Sequence, residues 1–165
     1  MEGATLNTAE MWPNVRKVLE DFGEHFIEAY RENMALRDAI ASGKLANSLS
    51  FEIASGVSFL AVDVSLLDYW YYVEKGRKPG KFPPISKIER WIKVRRIVPR
   101  AYNGRVPTTK QLAFLIARKI ALFGTKPRPI FSDTLDAVVA QFEWEIEQAV
   151  TADIEQAVDI ELLTL

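Results

Sequence analysis

With 165 residues, 48% of them hydrophobic, the chain is long enough for one well-packed domain, and without cysteine it has neither a disulfide framework nor a thiolate metal site. No apolar run approaches the roughly 20 residues of a membrane-spanning helix, and the first residues lack the basic-then-apolar order of a signal peptide, so a soluble protein made in the cytosol is expected. The net charge of −1 conceals a segregation: residues 75–128 hold sixteen Lys or Arg against one acid, Glu89, while residues 1–74 net −7 and residues 129–165, with no Lys or Arg, net −9.

Val15, Val18, Leu19, Phe22, Phe26 and Tyr30 recur at helical spacing, and Pro13 suits a first turn, so a long amphipathic helix is predicted from about 14 into the thirties. Its pattern extends through Met34, Leu36 and Ile40 to a stop at Gly43. Leu49, Phe51 and Ile53, then Leu60, Val62, Val64 and Leu66, alternate with their neighbours on either side of Ser55-Gly56, the pattern of a β-hairpin with one apolar face. The long helix is the natural cover for that face.

Asp68 to Gly76, dense in aromatics, reads as a short helix stopped near the glycine. Arg77 to Pro84 is a loop with Pro79-Gly80 as its turn signal. Ile85, Ile88, Trp91 and Ile92 predict a short amphipathic helix ending before Pro99, and residues 97–107, with Asn103-Gly104, form a second basic loop. Thr108-Thr109-Lys110-Gln111 has the form of a capping box. The helix it opens carries Leu112, Ile116 and Ile120 on one face and should end at Gly124. Pro127 and Pro129 enforce the break. Ser132 is the expected cap of a last helix, with Asp133 and Asp136 near its positive dipole end. That helix has a stripe of Leu135, Val138, Val139, Phe142, Ile146, Ala149 and Val150, thinning to Ile154, Val158 and Leu162.

The expected fold class is therefore α+β: a long N-terminal helix and further helices packed on a small antiparallel sheet, with a long C-terminal helix. Residues 1–150 are expected to form a single domain and residues 151–165 an acidic, helical extension.

The residues nominate no catalytic site. His25, the only histidine, stands inside a helix between Glu24 and Phe26 without an evident nucleophile or orienting partner. Glu143, Glu145 and Glu147 are spaced by two, which scatters them around a helix instead of converging them on a metal. No phosphate-cradling glycine run occurs. No catalysis, metal or cofactor is expected. Lys93, Arg95, Arg96, Arg100 and Arg105 do cluster around Trp91 and Tyr102, the density that phosphate neutralisation requires. No zinc-finger, helix-turn-helix or RNA-recognition signature accompanies them, and Trp91 stands at core spacing with Ile88 and Ile92. A sequence-nonspecific nucleic-acid-binding protein using residues 75–128 is the alternative function.

Tyr72-Val73-Glu74-x-Gly76, a proline-containing loop and Trp91 on a basic helix make the first half of a resemblance. The second half is the run from Leu112 to Ile120, then Phe123-Gly124-Thr125-Lys126-Pro127-Arg128-Pro129-Ile130-Phe131 and a terminal helix. Together, over roughly residues 37–150, they resemble the neck and tail-completion proteins of tailed bacteriophages, head–tail connector components that form rings between portal and tail. The long charged loop between Trp91 and Thr108 and the acidic tail after Val150 depart from that pattern.

The resemblance implies a structural virion protein, one subunit of a homo-oligomeric ring, six- or twelve-fold, at the head–tail junction or upper tail. It would be made in the bacterial cytoplasm and would act in the virion. Its partners would be copies of itself, portal, neck or tail proteins, and genomic DNA passing through the channel without sequence specificity. No membrane is involved. Charge independently gives a reason to assemble, because a head-to-tail contact joins two different surfaces of opposite sign. The residues expected to face a neighbouring subunit or DNA are Arg77, Lys78, Arg95, Arg96, Arg100, Arg105, Lys126 and Arg128. On the acidic side they are Asp153, Glu155, Asp159 and Glu161, which would meet a neighbour's basic surface.

Overall fold

A computed structural model describes residues 11–56, 58–101 and 104–163, with side chains as far as Asp159. Among them, six helices and a two-stranded antiparallel sheet follow in the order α1 (Pro13–Leu36), α2 (Lys44–Ser48), β1 (Ser50–Ser55), β2 (Leu60–Ser65), α3 (Trp70–Glu74), α4 (Ile85–Val94), α5 (Thr109–Phe123) and α6 (Ile130–Leu163). The class is α+β, as the sequence predicts. No helix among the described residues is long and apolar enough to cross a membrane. The chain forms two compact units.

The first unit comprises residues up to Asn33, the segment Ser48–Leu66 and the chain from Phe131 onward. Its frame is α1 against α6. Phe22, Phe26 and Tyr30, four residues apart, are buried on one face of α1, and their rings follow one another at 6.3 and 6.2 Å. Phe142 meets Phe22 edge-on at 5.5 Å, and Phe131 meets Phe26 at 5.2 Å. Such aromatic pairs add about 0.5–1.5 kcal/mol each beyond the area they bury. Partner numbers fall along α6 as they rise along α1: His25 hydrogen-bonds Gln141 (3.0 Å), and Asn33 donates to the Thr134 hydroxyl (2.9 Å). The two helices are antiparallel.

The hairpin pairs Phe51 with Val64 and Ile53 with Val62, and the Gly56 amide donates to the Phe59 carbonyl across the turn (3.0 Å). The expected cover is in place. Gly23 of α1 is buried under the Phe51 ring, which stands 2.4 Å from where a glycine Cβ would be. Only a residue without a side chain lets the ring that close to the helix.

Several expectations need correction. Val139 is exposed; the buried stripe of α6 centres on Val138, one residue and about 100° away. Ser132 lies inside α6 and is not its cap, because the helix begins two residues earlier, at Ile130. In the second unit, α1 stops at Leu36 and does not run on through Ile40. Asp38 adopts a left-handed backbone (φ 50°), its amide donating to Ala35 and that of Ala39 to Met34. Those bonds are a Schellman ending, usually built on glycine.

The second unit comprises Met34–Asn47 and Leu67–Ile130. Here the capping box forms as expected: the Gln111 amide donates to Thr108 Oγ1 (3.3 Å) and the Thr108 amide to Gln111 Oε1 (2.8 Å). Helix α4 packs on α5. The residues of α5 that are wholly buried are Ala113 and Ala117, at 0% exposure, while Leu112, Ile116 and Ile120 are half-buried. The small side chains bring the α5 backbone close to its neighbours, and the larger ones seal the flanks. Ile92 is the buried residue of α4, whose last turn closes on Arg96 in a second left-handed ending (φ 50°).

Candidate functional site

The two halves of the sequence motif, 48 residues apart at Arg77 and Thr125, meet in the second unit. Helix α5 ends at Gly124, with φ 70° and ψ −159°, a backbone region essentially restricted to glycine. A Cβ on Gly124 would stand 2.0 Å from the Arg77 carbonyl oxygen, and one on Gly76 would stand 2.4 Å from that of Thr125. Between the two glycines, Arg77 and Thr125 form an antiparallel bridge. The Thr125 amide donates to the Arg77 carbonyl (2.8 Å), and the Arg77 amide donates to the carbonyl (3.3 Å) and hydroxyl (2.9 Å) of Thr125. The Arg128 amide donates to Val73 (2.9 Å) and that of Gly80 to Ala121 (2.8 Å). The loops carrying Arg77, Lys78, Lys126 and Arg128 are thus held by backbone hydrogen bonds.

A second tie is made by arginine. Arg95 donates to the Ile40 carbonyl (2.6 Å) and to the Asp38 carbonyl and carboxylate, while Arg128 reaches the Asp38 carbonyl at 3.2 Å. Arg95 is therefore corrected from an outward-facing residue to a fastening within its unit. The Arg95 guanidinium, by hydrogen bond and charge, with a smaller contribution from Arg128, holds the Asp38 carboxyl below its ordinary value of 3.8. A depressed carboxylate contributes stability that is complete above its unfolded value and disappears as pH falls through the folded one. Asp38→Asn keeps a residue that tolerates the left-handed backbone. It should melt slightly below the wild type near neutral pH, and the gap should close once the pH drops well under 3.8. Paired thermal melts across that range measure it; a gap that persists in acid would mean the charge plays no part.

Of the sixteen basic side chains between Lys75 and Arg128, all are exposed except Arg77 and Arg95, which are half-buried. Lys78, Arg96, Arg100, Arg105, Lys126 and Arg128 lie at the surface, Arg128 also reaching the Asp38 carbonyl. The Arg77 guanidinium is engaged locally, with the Lys81 carbonyl. Tyr102 and Asn103 lie outside the described residues.

Counted over described residues, the second unit carries eighteen Lys or Arg and four Asp or Glu, a net +14. The first carries three and sixteen, a net −13. The two compact units thus carry opposite net charge, although residues 34–47 and 67–74 of the acidic first block belong to the basic unit.

On the acidic unit, Glu155 and Asp159 are exposed on α6, whereas the side chain of Glu161 lies outside the described residues. Asp153 is a correction: it is 3% exposed and satisfied within the chain. Its carboxylate accepts from the amides of Asn14 (3.0 Å) and Val15 (2.9 Å) and from the Asn14 side chain (2.6 Å). It caps α1 from the far end of the sequence.

Two surface features were missed in the sequence. Tyr71 and Tyr72 are 55% and 61% exposed, because consecutive residues on a five-residue helix point about 100° apart and cannot share one buried face. An apolar groove of about 1050 Å³ also runs beside α5. Phe114 and Leu115, off the Leu112–Ile116–Ile120 face, were its signal: a helix apolar on more than one face has more than one thing to cover it.

No protein-family model matches the chain, and neither a curated protein nor a solved structure matches it.

Proposed function

We propose that the chain is a structural virion protein of a tailed phage, one subunit of a homo-oligomeric ring at the head–tail junction or upper tail through which DNA passes. The observation that carries the reading is the division of charge, +14 against −13, between two compact units. Two oppositely charged units in one chain offer surfaces that can complement each other between copies, as a head-to-tail contact requires. The place in the virion comes from the resemblance of residues 72–76, 112–120 and 123–131 to neck and tail-completion proteins. Nothing in this role calls for catalysis or a cofactor; assembly and passage of DNA are the whole activity.

Light scattering at high protein concentration and low salt should detect a species well above 18.7 kDa that dissociates as salt is raised. A strict monomer under every condition, with portal proteins added and within virions, would sink the reading.

The exposed basic side chains of the second unit favour one other use, binding to nucleic acid by a protein acting alone. The same solutions separate the two. A channel lining should hold DNA weakly, without sequence preference and with a steep loss on adding salt, because counterion release dominates. A stable monomer that keeps a strong preference for one duplex at physiological salt supports the alternative.

A further inference from the structure

We infer that the outer stripe of α6 in one copy docks in the apolar groove beside α5 of the next copy, an inference that rests on the ring reading above and names its interface. The groove is lined by Ile85 at the start of α4, Val106 in the loop before α5, and Phe114 and Leu115 on α5. Val106, Phe114 and Leu115 are 65%, 47% and 52% exposed. Single exposed apolar residues are ordinary on a soluble protein, but several converging on one concavity mark a surface that something covers. Arg105 and Lys110 also line the groove, both exposed, and among the described residues no acid does. Its occupant should therefore be apolar in the middle and acidic at the side.

Helix α6 has that chemistry. Trp144, Ile154 and Val158 are 67%, 50% and 50% exposed. Ile154 and Val158, four residues apart, form a short apolar stripe about 6 Å long, and Trp144 lies on the same side farther up the helix, past the exposed Glu147 and Thr151. Glu155 and Asp159, one helical turn apart and both exposed, flank it. Exposed apolar residues at this spacing are how a helix fills a groove.

Charge decides which groove. Pairing the stripe with its counterpart in another copy would oppose acid to acid, since residues 129–165 hold nine acids and no base. The basic unit of another copy meets the same stripe with Arg105 and Lys110. Ile154 and Val158 then sit against Phe114, Leu115 and Val106, and Glu155 and Asp159 against the two cations. Because groove and stripe are different surfaces, each bound copy leaves one of each free for the next, and the contact propagates until it closes.

The test uses two double variants of the full chain, Arg105→Glu/Lys110→Glu and Glu155→Lys/Asp159→Lys, with assembly read by light scattering and folding by circular dichroism. Each alone opposes like charges at the contact and should remain monomeric where the wild type assembles. Mixed in equal amounts they offer complementary pairs in both directions, and the assembly should return. A third variant, Ile154→Ser/Val158→Ser, removes the apolar part without touching a charge and should also lose assembly. If the wild type assembles and any of the three still does so alone, or if the folded charge variants fail to assemble when mixed, this interface is wrong and the ring reading stands. If the wild type never assembles, both fall together.

Discussion

Replacing Gly124 by alanine should cost about 4 kcal/mol or more, enough to remove much of the 5–15 kcal/mol that holds a typical domain. Two causes add. The backbone at φ 70°, ψ −159° is closed to residues with a Cβ. The added carbon would also stand 2.0 Å from the Arg77 carbonyl oxygen and 3.1 Å from its carbonyl carbon. Those are backbone atoms in a bridge, with no flexible side chain to swing aside. The two loops must separate, and the Arg77–Thr125 hydrogen bonds go with them. Gly104→Ala is the control, since that glycine also has a positive φ (73°) but, among the described residues and beyond its chain neighbours, no heavy atom within 4 Å of its would-be Cβ. It bears only the left-handed penalty, about 1 kcal/mol. Thermal melts of the two variants beside the wild type should differ widely; equal losses would mean that the close crossing carries no weight.

Asp153→Ala should destabilise the first unit by about 2 kcal/mol. The first amides of a helix have no partner within it, and a lost cap costs about 0.5–2 kcal/mol. Here one carboxylate receives two such amides and the Asn14 side chain, and its charge also faces the positive end of the α1 dipole. Truncation after Val150 removes the same group together with the last turns of α6, so it should lower the melting temperature at least as far as the point substitution. The sequence alone suggests the reverse, a dispensable acidic tail whose loss harms assembly only. Asp153→Asn keeps the shape and some accepting capacity and should fall between. Chemical denaturation of the three variants against the wild type decides it: an unchanged midpoint for Asp153→Ala would show that water replaces the carboxylate without penalty.

The features legible in the sequence are those fixed by neighbours along the chain. The Thr108–Gln111 box spans four residues and forms as read; the α5 stop at Gly124 and the two alternating runs of the hairpin do likewise. Features that depend on distant partners left no local mark. Nothing near Asp153 distinguishes it from Glu155 or Asp159, and its partners at Asn14 and Val15 are 139 and 138 residues away. The end of α1 was obscured for a different reason: a left-handed aspartate, held by Arg95, stands where glycine ordinarily marks a stop, and Ile40 extends the apolar period beyond it. For the candidate site, the blocks of charge were visible and their assignment to separate compact units was not. Arg95 illustrates the limit. In composition it belongs to the basic run, and only the fold reveals that its guanidinium is taken by Asp38 and Ile40.

The bridge between Arg77 and Thr125 turns everything between them into a closed circuit. Within that circuit, α4 and α5 pack on each other, and a basic stretch joins them. The entropy of closing a loop grows only with the logarithm of its length, about 0.6 kcal/mol for each doubling. Lengthening the loop between α4 and α5 should therefore carry little thermodynamic penalty. The fold thus joins a crossing constrained to glycine by backbone atoms to a connecting loop whose length is only weakly constrained by entropy.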